Sequence, residues 1–168
     1  MEYIPVTLQD IIESKDERAV YQRQLIDKYK CPIVSFTVVM PGNVKKNEMS
    51  EQIFFKGNSA IESALEGYSV LFKDKKDKIT GYEAFYCVKI DSSDLKKLMV
   101  QVEENSKIGR LFDIDVIDEN YIPVSRTALD LPERKCLICG QNAHVCARSR
   151  KHTTDELLAE IERVLSNE

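Results

Sequence analysis

The sequence predicts an α+β fold in a single domain over residues 1–168. Runs rich in β-branched residues alternate with segments in which apolar residues recur every three or four positions. Their order is two helices, then β-α-β-β-α-β-β, then a last helix, and the middle of this order matches a split βαβ pattern. We therefore expect a mostly antiparallel or mixed sheet, helices packed on one face, and extra helices at both ends of the chain.

Two capping boxes predict two helices before the first strand. Thr7 and Asp10 have the spacing of one box, and Ser14 and Glu17 have the spacing of a second. The second helix is expected to end near Tyr29, where its apolar periodicity stops.

The next segments predict a strand, a helix and a hairpin. Residues 31–42 are β-branched and apolar and end in Pro-Gly, as in a buried strand. Residues 53–65 have helical spacing. Residues 68–72 and 82–90 then form the two strands of a hairpin, and the charged residues 73–81 between them are expected to be its turn.

The remaining segments predict a helix, two strands and a final helix. Ser92 and Ser93 are expected to cap the helix, which is followed by a strand over residues 110–118. Residues 121–126 are a candidate return strand, at an edge or cut short because proline cannot donate to a ladder. Thr153 begins a capping box before the last helix.

Charge is distributed unevenly along a chain whose net charge is −4. The segment Arg134–His152 carries +5 and no acid, so the other residues carry −9. Overall acidity disfavours a general nucleic-acid binder. A local basic segment suggests a small anionic partner, but on charge alone a solvated loop is the simpler explanation. No apolar run is long enough for a membrane span, and no signal peptide is recognisable, so we expect a cytoplasmic protein with reduced cysteines.

Asp113 and Asp115 form a D-x-D pair within a predicted strand. Alternation places both carboxylates on one face, opposite the apolar residues of the strand. Such a pair can hold Mg²⁺ against phosphate oxygens, although a solvated strand face has the same pattern. Gly109 and Arg110 precede the pair. The glycine would allow a ligand to approach the backbone closely, or would simply end a helix. The arginine would pair with the aspartates or with a phosphate.

Three cysteines and a histidine follow in the basic segment. Cys136, Cys139, Cys146 and His152 provide the four ligands of a closed structural zinc site. Packed thiols are an equal alternative, and a redox pair is a third.

Several cations are candidates for binding an anion. Arg148 and Arg150 precede the last helix, whose N-terminus has free N–H groups and a positive dipole end. Lys45 follows the Pro-Gly turn and is a further candidate, although from the sequence alone a solvated turn is the better explanation.

Four motifs occur together in an unusual combination. They are SKDERAVYQRQL, PIVSFTVVMPGNVK, GRLFDIDV and RKCLICGQNAHVCARSRKH, and they extend from Ser14 almost to the C-terminus. In this respect the sequence resembles the apo-citrate lyase phosphoribosyl-dephospho-CoA transferases, the holo-acyl-carrier-protein synthases of citrate lyase.

The resemblance implies a nucleotidyltransferase-type reaction. The donor would be 2′-(5″-triphosphoribosyl)-3′-dephospho-CoA, and the acceptor a serine of the citrate lyase acyl carrier protein, the γ subunit, with release of pyrophosphate. Asp113 and Asp115 would then hold Mg²⁺, and Arg110 would act beside them. Gly109, Lys45, Arg148 and Arg150 would contact the donor.

Two alternatives remain open from the sequence. One is a zinc-stabilised, non-enzymatic module that binds a phosphorylated partner. The other is an equivalent transferase for a different carrier protein. Neither a nucleic acid nor a membrane is expected as a partner.

Overall fold

A computed structural model describes residues 2–168. Within these residues, helices pack against one four-stranded sheet. In chain order the elements are α1 (Leu8–Tyr29), β1 (Ile33–Val38), α2 (Glu48–Ala64), β2 (Val70–Lys78), β3 (Gly81–Val88), α3 (Ser92–Glu104), β4 (Phe112–Ile117), α4 (Ala143–Ser149) and α5 (Thr154–Ser166). Short 3₁₀ turns occupy Ile108–Leu111 and Thr127–Leu129. The strand order is β2-β3-β1-β4, and each neighbouring pair is antiparallel. The predicted α+β class is confirmed.

Helices α2, α3 and α5 cover one face of the sheet and enclose the larger core. Phe36, Tyr86 and Ile114 project into this core from β1, β3 and β4. Gly57 allows α2 to approach the sheet closely, because a Cβ atom there would lie 2.4 Å from the ring of Phe36. Alternation along β1, β3 and β4 therefore determines which residues are left for the other face.

Helix α1 packs on the opposite face. Its Leu25 and Ile26 meet Ile33, Phe85 and Cys87 in a smaller apolar cluster. The extra N-terminal helix thus lies across the sheet from α2 and α3, and the sheet is covered on both faces.

The prediction of two N-terminal helices is wrong, because α1 is continuous. Thr7 does cap it, and the box with Asp10 is present. Ser14 is buried inside the helix, where its hydroxyl lies 2.9 Å from that of Thr80 and 3.4 Å from a carboxylate oxygen of Glu83. A tertiary contact therefore occupies the side chain that the sequence assigns to a second cap.

The hairpin is longer than predicted, because the charged residues 73–78 belong to β2 and not to a turn. Helix α1 provides partners for the side chains that face it. Asp74 accepts from the hydroxyl of Tyr21 at 2.5 Å, Lys76 lies 3.5 Å from the centre of the same ring, and Lys78 contacts Glu17 at 2.6 Å. These contacts allow a strongly charged sequence to continue as an edge strand.

Two further boundaries differ from the sequence analysis. Asp91, and not the serine pair, caps α3 by accepting from the backbone of Ser93 and Asp94. The return strand is reduced to a bridge between Ile117 and Pro123 beside β4, as expected if proline cuts it short. Within residues 2–168, no helix is both long and apolar enough to cross a membrane.

Candidate active site and metal cluster

A row of polar side chains crosses the sheet on the face covered by α1. Asp113 and Asp115 project from β4 to this face, while Phe112 and Ile114 enter the core, so the predicted orientation is confirmed. In β1, Thr37 lies directly opposite Asp113. The same Thr37 lies opposite Glu83 of β3 on its other side. Three neighbouring strands thus bring carboxylates from distant parts of the chain onto one face.

Arg134 contacts Asp113 and fixes the start of β4. Its guanidinium lies 3.2 Å from Oδ1 of Asp113 and donates at 2.8 Å to the carbonyls of both Arg110 and Phe112. Buried Glu103 lies 3.7 Å away and also accepts from Arg126. Three acceptors in different directions orient Arg134, because the guanidinium is a planar fork of donors.

Asp115 lies further along the same face of β4 and is exposed. Its partner in the neighbouring strand is Ser35, whose hydroxyl accepts from the amide of Gln22 at 2.9 Å. Loss of hydration beside the surrounding protein, and then the negative charge of Asp113, raise the pKa of Asp115. Lys96 and Arg18 offset part of this effect, and Asp113 is paired with Arg134, so Asp115 is the less compensated member of the two.

Glu83 is the residue that sequence reasoning missed. Its side chain is 3 % exposed, and one carboxylate oxygen contacts Arg18 at 3.0 Å and Ser14 at 3.4 Å. Its other oxygen, Oε2, is buried without a hydrogen-bond partner. A single acid within the apolar run YEAFYCV was the available signal, because an unpaired carboxylate is rarely buried without a reason.

A cavity of about 350 Å³ opens over the polar row. Arg18, Thr37, Glu83 and Asp113 line it, and Lys45 lies at its wall. The ammonium of Lys45 donates at 2.6 Å to the carbonyl of Met40, and burial lowers its pKa. Acids and cations therefore share a confined volume, which suits a metal-assisted reaction of an anionic substrate.

The residues that precede the aspartates have different surroundings. Arg110 donates at 3.1 Å to the carbonyl of Cys136, so it points toward the basic segment. Gly109 is buried, and a Cβ there would lie 2.2 Å from the carbonyl oxygen of Glu103. Close packing of the 3₁₀ turn on the end of α3 is a sufficient reason for a glycine at this position.

The three cysteines and the histidine form one compact cluster. Their candidate ligand atoms, on Cys136, Cys139, Cys146 and His152, all lie within 4.8 Å of one another. The sulfurs of Cys139 and Cys146 are 3.4 Å apart, and Nε2 of His152 is buried without a partner. A backbone N–H at Gln141 and the neighbouring His152 lower the pKa of Cys139 to about 6. This donor set fits a metal such as zinc.

Helix α4, which the sequence analysis did not predict, positions the cluster. Asn142 caps it, and it presents Cys146 toward the other ligands. Cys31 and Cys87 lie in the small core under α1 and are free thiols.

Arg148 and Arg150 lie at the end of α4 and are exposed. The N-terminus of α5 beside them is less available to an anion than predicted. Thr153 and Glu156 cap each other's N–H groups, and Asp155 adds a second acid to the first turn.

A larger cavity of about 700 Å³, lined mainly by apolar atoms, separates this segment from the 39–42 turn. Arg134 and Arg110 form part of its wall, and Arg150 lies at another part. Arg134 therefore belongs to both the polar row and the apolar cavity, whereas the metal cluster lies outside the row. The structure thus divides the predicted site residues into two neighbouring groups joined by one arginine.

Comparison with known proteins identifies the family. Residues 6–168 match the family model for apo-citrate lyase phosphoribosyl-dephospho-CoA transferase. The chain belongs to this family. A probable apo-citrate lyase phosphoribosyl-dephospho-CoA transferase of Vibrio cholerae is 37 % identical over 96 % of the chain and 92 % of its own length. The transferase of Escherichia coli is 34 % identical over 96 % of the chain and 90 % of its own length.

A longer relative also matches. Protein CitXG of Haemophilus influenzae is 36 % identical over 96 % of the chain, which spans about a third (35 %) of that protein. The family is one of transferases, so the resemblance noted in the sequence is confirmed.

Proposed function

We propose that this protein transfers phosphoribosyl-dephospho-CoA from 2′-(5″-triphosphoribosyl)-3′-dephospho-CoA to a serine of the citrate lyase acyl carrier protein. The observation that carries the proposal is the polar row, in which Asp113 and Asp115 share a sheet face and Asp113 lines one cavity together with Arg18 and Lys45. The chain that contains this polar row is a member of the transferase family. The protein would act as a single domain over residues 1–168, in the cytoplasm.

The reaction exchanges one phosphorus–oxygen bond for another. The serine oxygen attacks the phosphorus next to the ribose, a phosphodiester forms, and the bond to the departing pyrophosphate breaks. Asp113 or Asp115 would accept the serine proton, and the raised pKa of Asp115 favours Asp115. Catalysis of such a transfer depends on positioning and on cations near the developing charge.

Asp113 and Asp115 are the proposed Mg²⁺ ligands. Two carboxylates on one face, one with a raised pKa, fit a hard cation with oxygen ligands. Bound there, Mg²⁺ would neutralise phosphate oxygens of the donor. The chain's own cations would complete this role: Lys45, which lines the cavity, and Arg134, which contacts Asp113, would hold the phosphates in place.

The donor also carries a nucleoside and a pantetheine arm. The apolar cavity of about 700 Å³ has a volume in the usual range for small-molecule sites. Arg134 lines the apolar cavity and contacts Asp113, which lines the polar one. The dephospho-CoA part would therefore occupy the apolar cavity while the triphosphate lies over the polar row. Arg110 and Arg150 would contact phosphates at its rim, with Gly109 nearby.

We further propose that Cys136, Cys139, Cys146 and His152 bind structural zinc. Four protein ligands would leave no position for substrate, so this metal would support the fold. It would hold the basic segment, including Arg148, where an acidic carrier protein can dock.

Mass spectrometry tests the proposed activity directly. Incubating the apo carrier with donor, Mg²⁺ and this protein should raise the carrier mass by the prosthetic group and release pyrophosphate. Asp113→Asn should abolish the mass gain while the protein remains folded. Asp16→Asn, at an exposed position of α1, is the matched control and should retain it. An unmodified carrier with the wild-type protein, or full turnover by Asp113→Asn, would contradict the proposal.

A further inference from the structure

The carboxylate of Glu83 is satisfied on one side only. Arg18, Ser14 and, at 3.9 Å, Lys78 all approach Oε1. Oε2 has no partner, although the side chain is 3 % exposed. A buried polar atom left without a hydrogen bond destabilises a fold, and a charged one does so more strongly. A purely structural ion pair with Arg18 does not require this arrangement.

The surroundings of Glu83 indicate what the missing partner is. Glu83 lines the same cavity as Asp113, and both residues flank Thr37 across neighbouring strands. The side chains of Glu83, Thr37 and Asp113 therefore project to one face in a single row. Anionic groups of a substrate would be repelled by an unpaired carboxylate oxygen, whereas a cation or its bound water would be attracted.

We propose that Glu83 is a further anchor of the divalent cation that Asp113 holds in this cavity. The inference rests on the proposed function, because it places the cation in the same site. Mg²⁺ keeps several water ligands in proteins, so Oε2 can act directly or by accepting a hydrogen bond from a metal-bound water. Arg18 and Ser14 then orient the carboxylate through Oε1 and leave Oε2 available.

Binding of Mn²⁺, a paramagnetic substitute for Mg²⁺, tests this without the enzymatic reaction. Free Mn²⁺ is measured by electron paramagnetic resonance during titration of the protein, first treated to remove loosely bound metal. Glu83→Gln keeps the shape and the contact to Arg18 but removes the charge. It should weaken Mn²⁺ binding by about 10–100-fold, as loss of a supporting ligand does.

Arg18→Gln is the matched control because it breaks the same ion pair from the other side. If Glu83 is a cation anchor, removing the neighbouring positive charge should leave Mn²⁺ affinity equal or higher. If Glu83 serves only the ion pair, both variants should lose stability and neither should change Mn²⁺ affinity. Thermal unfolding of both variants shows whether they are folded.

The outcomes separate this inference from the proposed function. Loss of Mn²⁺ binding in Asp113→Asn with unchanged binding in Glu83→Gln would overturn the role of Glu83 and leave the Asp113 site intact. No Mn²⁺ binding by the wild-type protein would overturn both. If Glu83→Gln does not fold, Glu83→Asp keeps the charge but withdraws it by one methylene. Unchanged affinity in that variant would also overturn the inference.

Discussion

Gly109→Ala tests whether this glycine serves packing or a ligand. The backbone there does not adopt a positive φ, so alanine is conformationally acceptable. Where space exists, such a replacement stabilises a protein by about 0.4–1 kcal/mol by restricting the unfolded chain. A Cβ at Gly109, however, would lie 2.2 Å from the carbonyl oxygen and 2.7 Å from the carbonyl carbon of Glu103.

These neighbours are backbone atoms, so no side-chain rotation relieves the collision. The 3₁₀ turn would have to move away from α3 by about 1 Å, and overpacking of this kind costs about 1–3 kcal/mol or more. We expect Gly109→Ala to lower the free energy of unfolding by at least about 2 kcal/mol. Because β4 begins three residues later, Asp113 should also shift, and turnover should fall further than the folded fraction.

Urea unfolding gives the stability change, and the carrier mass shift gives turnover. Gly67→Ala is the comparison, because its Cβ would have open space but its φ is +82°. Backbone strain alone should cost about 1–2 kcal/mol there. A stabilised Gly109→Ala would refute the collision argument. Full stability with weakened donor binding would instead support the ligand-contact role predicted from sequence.

Three other predictions concern charge, metal and substrate. Asp115→Asn should raise the thermal midpoint at pH 7, because a raised folded-state pKa means that folding disfavours the ionised carboxyl. The gain in thermal midpoint should disappear as the pH falls below the ordinary pKa of an aspartate, because the carboxyl is then protonated in both the folded and the unfolded state. An equal gain at pH 3 would contradict this cause. Cys139→Ser should remove stoichiometric zinc, as measured by elemental mass spectrometry. It should also make residues 134–152 sensitive to protease while the sheet stays folded. Retained zinc would exclude the four-ligand site. Ala147→Phe should fill part of the apolar cavity and leave less room for the ligand. Calorimetry should then show binding of free dephospho-CoA weakened by about tenfold or more. Unchanged binding would place the nucleotide elsewhere.

The apolar pattern was sufficient to predict most elements. β3 and α5 follow it closely, whereas α2 begins five residues before the expected 53 and β1 covers only 33–38 of the expected 31–42. The D-x-D spacing correctly placed both aspartates on one face. Local patterns failed where a distant partner decided the structure. The charged strand β2 exists because α1 provides partners for its inward side chains, and no window of β2 alone contains that information.

Local sequence patterns also predicted only part of the candidate site. The cysteine spacing predicted a four-ligand cluster that the structure brings together. Arg18, Glu83 and Arg134 could not be joined to Asp113 from spacing, because two strand pairings, helix α1 and the segment after β4 bring them together. Antiparallel register is a tertiary property, so residues that meet across a strand carry no common sequence signal.

The exposed edge of β2 also affects how copies of the protein meet one another. An edge strand is an open row of hydrogen-bonding groups that another strand can extend. This strand contains four lysines and two aspartates, so a second copy aligned against it would meet an excess of positive charge. At the opposite edge, residues 122–124 lie against β4 and occupy part of its backbone. The sheet is thus protected at one side by charge and at the other by its own chain, which disfavours growth into strand-paired aggregates at high concentration.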